Sequence, residues 1–147
     1  GFRIGWLIAP STMIRSINKL AQNLFLAPAS IAQYAALGAL SDASIKVHNY
    51  RRDEFKKRRD FLYKGLVAIG FEMTNMPEGA FYLYANCTKL GLSASALAEK
   101  LLLEAHVAVT PGKDFSTTNA ENFIRFAYTT NVENLEKGLK RIKACLA

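Results

Sequence analysis

Phe123-Ile124-Arg125-Phe126-Ala127-Tyr128 is the stretch on which both fold and function turn. Aromatic and β-branched residues dominate it, which is strand composition. Arg125 is the only charge between Asn122 and Asn131. Side chains alternate along a strand, so Arg125 shares a face with Phe123 and Ala127. A guanidinium among such neighbours is costly to bury unless an anion meets it. The stretch leaves three readings open: an anionic guest, a structural carboxylate such as Glu121, or an edge strand from which the side chain reaches water.

Downstream, Thr130-x-x-Glu133 reads as a capping box opening a final helix, with Val132, Leu135, Leu139, Ile142 and Leu146 on its buried face. Upstream, residues 107–110 read as a strand, and Pro111-Gly112-Lys113-Asp114 as a turn whose amides could also meet an anion. A helix over 93–105 turns Leu97, Leu101 and Leu102 inward. Residues 71–74 and 80–84 are short strands separated by turn residues. Before them Gly70 closes a long helix over 43–69, whose stripe runs through Val47, Tyr50 (or His48), Phe55, Leu62, Leu66 and Ile69. Two further helices are expected over 12–24, capped by Pro10-Ser11-Thr12, and over 28–40, with Ile31, Ala35 and Leu37 buried. Gly1 to Ala9, apolar apart from Arg3, reads as a strand covered on both faces. The order β-α-α-α-β-β-α-β-β-α, without repeats or linker, gives an α/β or α+β layered fold. Few sequences open in mid-sheet, so the chain is expected to be the C-terminal piece of a longer protein.

Composition excludes other classes. The chain has 147 residues, 50% apolar and 21% charged, which is globular rather than disordered or fibrous. No apolar run nears the length that spans a bilayer, so no membrane partner is expected. Cys87 and Cys145 lie too far apart for a disulfide framework or a zinc motif, and a reducing, cytoplasmic setting is the simple expectation. The net charge is +7, and the basic residues cluster in Arg51-Arg52 and Lys56-Lys57-Arg58-Arg59, within residues 51–75 that hold 7 basic and 4 acidic side chains. Such a block on a helix is a solvated face before it is a nucleic-acid grip. His48 and His106 stand in no triad or metal pattern, Cys87 reads as a small packed residue, and no phosphate-loop, dinucleotide or zinc-protease motif occurs.

Six stretches resemble one family. They are Gly1-Phe2-Arg3-Ile4-Gly5-Trp6, Gln22-Asn23-Leu24-Phe25, Ile31-Ala32-Gln33, Gly79-Ala80-Phe81-Tyr82, residues 107–115 with Val107-Ala108-Val109-Thr110-Pro111-Gly112 and Phe115, and Ile124-Arg125-Phe126-Ala127-Tyr128. Their order and spacing resemble the class I/II aminotransferases, pyridoxal-phosphate enzymes of the aspartate aminotransferase fold type, across essentially the whole chain.

The resemblance implies roles. Arg3, in the GxRxG strand motif, would hold the cofactor phosphate, and Arg125 would bind the α-carboxylate of the amino acid. Phe81 and Phe115 resemble residues near the pocket, with packing as their default role. It implies transfer of an amino group between an amino acid and a 2-oxo acid. The Schiff-base lysine of the family lies just ahead of the motif glycine, upstream of Gly1. No catalytic residue is therefore assigned within these residues, and they alone are expected to be inactive. Residues 1–45 would be the tail of the large cofactor-binding domain and 46–147 the small domain, with the long basic helix as hinge. The 12–24 and 28–40 helices would lie near the interface of a homodimer. Another pyridoxal-phosphate chemistry, a lyase or synthase, stays open because the same arginines would serve it. A basic binding module with no chemistry, built on residues 51–59, is the reading of a different class.

Overall fold

The computed structural model describes residues 1–147, which divide into two compact units, Gly1–Tyr50 and Arg51–Ala147. No helix is long and apolar enough to cross a membrane.

The first unit holds α1 (Ser11–Leu24), α2 (Ser30–Ala39) and the opening turns of α3 (Asp42–Ile69). The strand expected over residues 1–9 is not formed. Residues 1–10 carry no strand pairing, and Arg3 sits at φ +55, outside the extended region. A strand needs neighbours to take its amides and carbonyls, and apolar composition cannot supply them. The burial expected on α2 is also corrected. Ala32 is the buried residue, while Ile31 and Leu37 are each 69% exposed. The α2 sequence is apolar nearly all round, so its pattern does not select a face. α1 starts behind Pro10 with no side-chain cap and buries no residue. Phe2, Trp6, Leu24, Phe25 and Tyr34 are exposed in this unit.

The second unit has its own core. α3 is stopped by Gly70 at φ +115: the Phe71 amide donates to Leu66 O and the Gly70 amide to Val67 O. That is the double hydrogen bond of a Schellman cap, with Leu66 and Phe71 both in the core beside it. The chain continues through β1 (Tyr82–Asn86), α4 (Ala94–Leu103), β2 (Thr110–Pro111), β3 (Phe123–Ala127) and α5 (Val132–Leu146). The strands form one antiparallel sheet in the order β1-β3-β2. Leu83 and Ala85 of β1 and Ile124 and Phe126 of β3 point to one face. There they meet Leu62 and Leu66 of α3, Leu97 and Leu101 of α4, and Leu135 and Ile142 of α5. The other face carries Tyr82, Tyr84, Phe123 and Arg125, half-buried, with the 112–115 segment against it. This one-sided burial is what an antiparallel sheet permits.

Several local expectations are revised. Residues 71–74 make one bridge, Glu72 to Asn86, rather than a strand. Pairing over 107–110 is confined to Thr110 and Pro111, and residues 112–114 form a 3-10 turn. Leu102 is exposed. The N-cap of α5 is Asn131, whose Oδ1 accepts from the Asn134 amide at 2.9 Å, and Thr130 Oγ1 accepts only from the Asn134 side chain. Asn131→Ala should therefore cost about 1 kcal/mol in urea unfolding, and Thr130→Ala distinctly less. The reverse ranking would restore the capping box.

Candidate functional site

β3 is the central strand, so Arg125 is not an edge arginine snorkelling into water. Nor does Glu121 pair with it. That carboxylate accepts from Ser95 Oγ at 2.7 Å and from the Ser95 amide at 2.9 Å, and the two bonds hold its carboxyl below the usual range. Arg125 makes no salt bridge. Its Nη2 donates to Thr110 Oγ1 at 3.2 Å, and its Nε is buried without a partner.

Aromatic rings fill the rest of its surroundings. The guanidinium carbon lies 4.6 Å from the Phe115 ring centre and 5.4 Å from that of Tyr82. Both distances are within cation–π range. Tyr84 stands directly opposite Arg125 across the β1–β3 pair and stacks on Phe123, centroids 5.0 Å apart and planes 5° from parallel. Burial pushes the Tyr84 phenol up, so it remains a neutral donor. Tyr82, Tyr84, Phe115, Ser116 and Arg125 together line a cavity of about 320 Å³. A positive fork in a partly apolar cavity, with no anion of its own, is suited to a carboxylate guest.

Two backbone features hold this wall in place. Gly112 is buried where a side chain would meet Ala120 O, Phe123 O and Tyr84 Oη. Its carbonyl accepts from the amides of Phe115 and Ser116, which sets the segment that carries the Phe115 ring. At the other end Tyr128, fully buried, donates its hydroxyl to Ala80 O at 3.1 Å. Ala80 is at φ +65, a strained conformation for alanine, and it leads into Phe81, which meets Tyr82 edge-on at 5.3 Å.

The other sequence candidates lie elsewhere. Arg3 is in the first unit, exposed on the unpaired opening segment. His48 is hydrogen-bonded to Ala39 O, and Cys87 is a buried free thiol whose titration burial pushes up. The basic stretch of α3 is laced with its own carboxylates: Lys56 pairs with Asp60, Lys57 with Glu54, and Arg59 with Asp60. Arg59 also donates to Pro77 O. Sequence reasoning missed Thr110, Tyr82, Tyr84 and Ser116 as neighbours of Arg125. Alternation marked Tyr82 and Tyr84 as sharing a face, but only the register brings that face to the arginine.

The model of the family described as aminotransferase class I and II matches residues 1–142. The chain belongs to the class I and II aminotransferases. Family members generally depend on pyridoxal phosphate. The aminotransferase chain is 40% identical over 146 residues to the (5-formylfuran-3-yl)methyl phosphate transaminase of Methanocaldococcus jannaschii, covering 99% of this chain and 38% of that protein. It is 36% identical to the aspartate/prephenate aminotransferase of Thermus thermophilus, covering 99% of this chain and 37% of the relative. Among solved structures, the aromatic aminotransferase of Pyrococcus horikoshii superposes with a TM-score of 0.85 at 33% identity, over 97% of this chain and 38% of that one. The aminotransferase chain thus has part of the aspartate aminotransferase-like fold, mixed helix and sheet, and spans under two-fifths of the length of these relatives.

Proposed function

We propose that the chain supplies the substrate-carboxylate site of a pyridoxal-phosphate-dependent aminotransferase that moves an amino group between an amino acid and a 2-oxo acid. The observation that carries this is Arg125: central in the sheet, without a carboxylate partner among these residues, and with its side chain lining a cavity. Arg125 binds and orients. Two parallel N–H donors grip a carboxylate in one plane, which a lysine point charge cannot do. Fixing that plane fixes the direction of the Cα–H bond, and the entropy of alignment is spent in binding rather than in reaction. The ring of Phe115, half exposed over the guanidinium, screens the pair from water and strengthens it.

Arg3 is the cation of these residues that would hold the cofactor phosphate. Its place in the GxRxG motif is what supports that use, and the cofactor, when bound, would supply an electron sink. The lysine that would carry the cofactor is expected outside these 147 residues. We read residues 1–45 as the tail of the large domain and 46–147 as the small domain. A homodimer is what the family likeness implies, and two free thiols fit a cytoplasmic setting.

The test is a stoichiometric assay of the full-length protein with a panel of amino acids and 2-oxo acids. One new amino acid should form for each new 2-oxo acid. Release of ammonia or of a side-chain fragment in equal amount would replace transfer by a lyase reaction.

A further inference from the structure

Thr110 does not line the cavity, yet its hydroxyl is the one polar group that touches the Arg125 guanidinium. The two residues are direct cross-strand partners, Thr110 on β2 and Arg125 on β3. Three local facts make the hydroxyl a fixed point. The residue before a proline is held extended, so Pro111 confines the Thr110 backbone. Pro111 itself is set at φ −68. The β-branched Thr side chain then has few rotamers.

The guanidinium has three nitrogens, each with a different fate. Nε is buried and unpartnered, and Nη2 is tied to Thr110, which leaves Nη1 and the second Nη2 proton for a guest. A guanidinium free to rotate about its last torsions would offer a carboxylate a changing edge. One anchored at Nη2 offers a single edge.

We propose that Thr110 is a positioning residue of the substrate site: by accepting from Arg125 Nη2 it locks the guanidinium plane so that the Nη1–Nη2 edge is presented to the substrate carboxylate. The inference rests on Arg125 as the carboxylate fork. Thr110 acts on binding through that fork and makes no demand on the rest of the substrate. The isosteric Thr110→Val removes the acceptor and keeps the shape, while Thr110→Ser keeps the acceptor.

The experiment uses the full-length protein and three amino acids that lack a Cα proton and so bind without reacting: 2-methylaspartate, 2-methylphenylalanine and 2-aminoisobutyrate. Dissociation constants are measured for the tightest of them and for its carboxamide. Thr110→Val should weaken the carboxylate about tenfold and the carboxamide less than about twofold, and Thr110→Ser should stay within about threefold of the parent. In an Arg125→Lys background, Thr110→Val should bring no further loss. Equal weakening of acid and amide, or a full additional loss on top of Arg125→Lys, would reduce Thr110 to a packing residue and overturn the proposal. If Arg125→Lys alone leaves carboxylate binding unchanged, or none of the three probes binds the parent protein, the carboxylate fork itself falls and takes the proposal with it. The Thr110→Ser result separates loss of the acceptor from loss of the fold.

Discussion

Arg125→Lys in the full-length protein should raise KM for the amino acid and lower kcat, a combined loss in kcat/KM of about a hundredfold. Lysine keeps the charge and loses the second arm of the fork. A hydrogen bond to a charged group contributes about 1.5–3 kcal/mol, and a carboxylate held by one donor can swing out of plane. Binding therefore weakens, and the bound fraction that reacts also falls. An unchanged kcat/KM would remove Arg125 from the site.

A companion variant separates binding from structure. If Arg125 were half of a structural ion pair, truncating it would leave a buried charge and cost about 3–5 kcal/mol. No carboxylate of these residues pairs with it, and its Nε has no hydrogen-bond partner. Arg125→Met loses the contacts with Phe115 and Tyr82 but relieves the orphaned donor. Stability without substrate should therefore change by no more than about 1 kcal/mol in either direction. Stability spared while binding is lost is the signature of a group kept for function.

What the sequence disclosed and what it withheld follow from the range of the forces involved. The Schellman cap at Gly70 was legible because helix termination is local chemistry. The isolated charge of Arg125 was legible because alternation is local too. Its partner was not. Thr110 lies 15 positions away, and only the β2–β3 register makes the two meet. Pro111 shortened β2, since a residue without an amide donor suits only the margin of a ladder. The opening segment failed as a strand for the converse reason: Ile4, Trp6, Leu7 and Ile8 have strand composition, but no strand of these residues pairs with them. α5 is capped one residue later than expected: Asn131 takes the Asn134 amide, and Thr130 is left with the Asn134 side chain.

Gly112→Ala should be the most damaging small substitution in the second unit, lowering stability by about 2 kcal/mol or more in urea unfolding. The reason is close approach rather than backbone conformation, since Gly112 has no left-handed φ. A methyl group there meets Ala120 O, Phe123 O and the Tyr84 hydroxyl at once. Two of these three are main chain, and one belongs to the strand that carries Arg125. A side chain can rotate aside, whereas a carbonyl moves only with its strand. The strain should also displace Phe115 and Ser116, whose amides donate to the Gly112 carbonyl, and so weaken carboxylate binding alongside stability. Adding Tyr84→Phe removes the hydroxyl from the collision and leaves the two carbonyls, so the double variant should recover less than half of the lost stability. Full recovery would show that the phenol alone fills the space behind Gly112, and that the 112–116 segment is free to shift without disturbing β3.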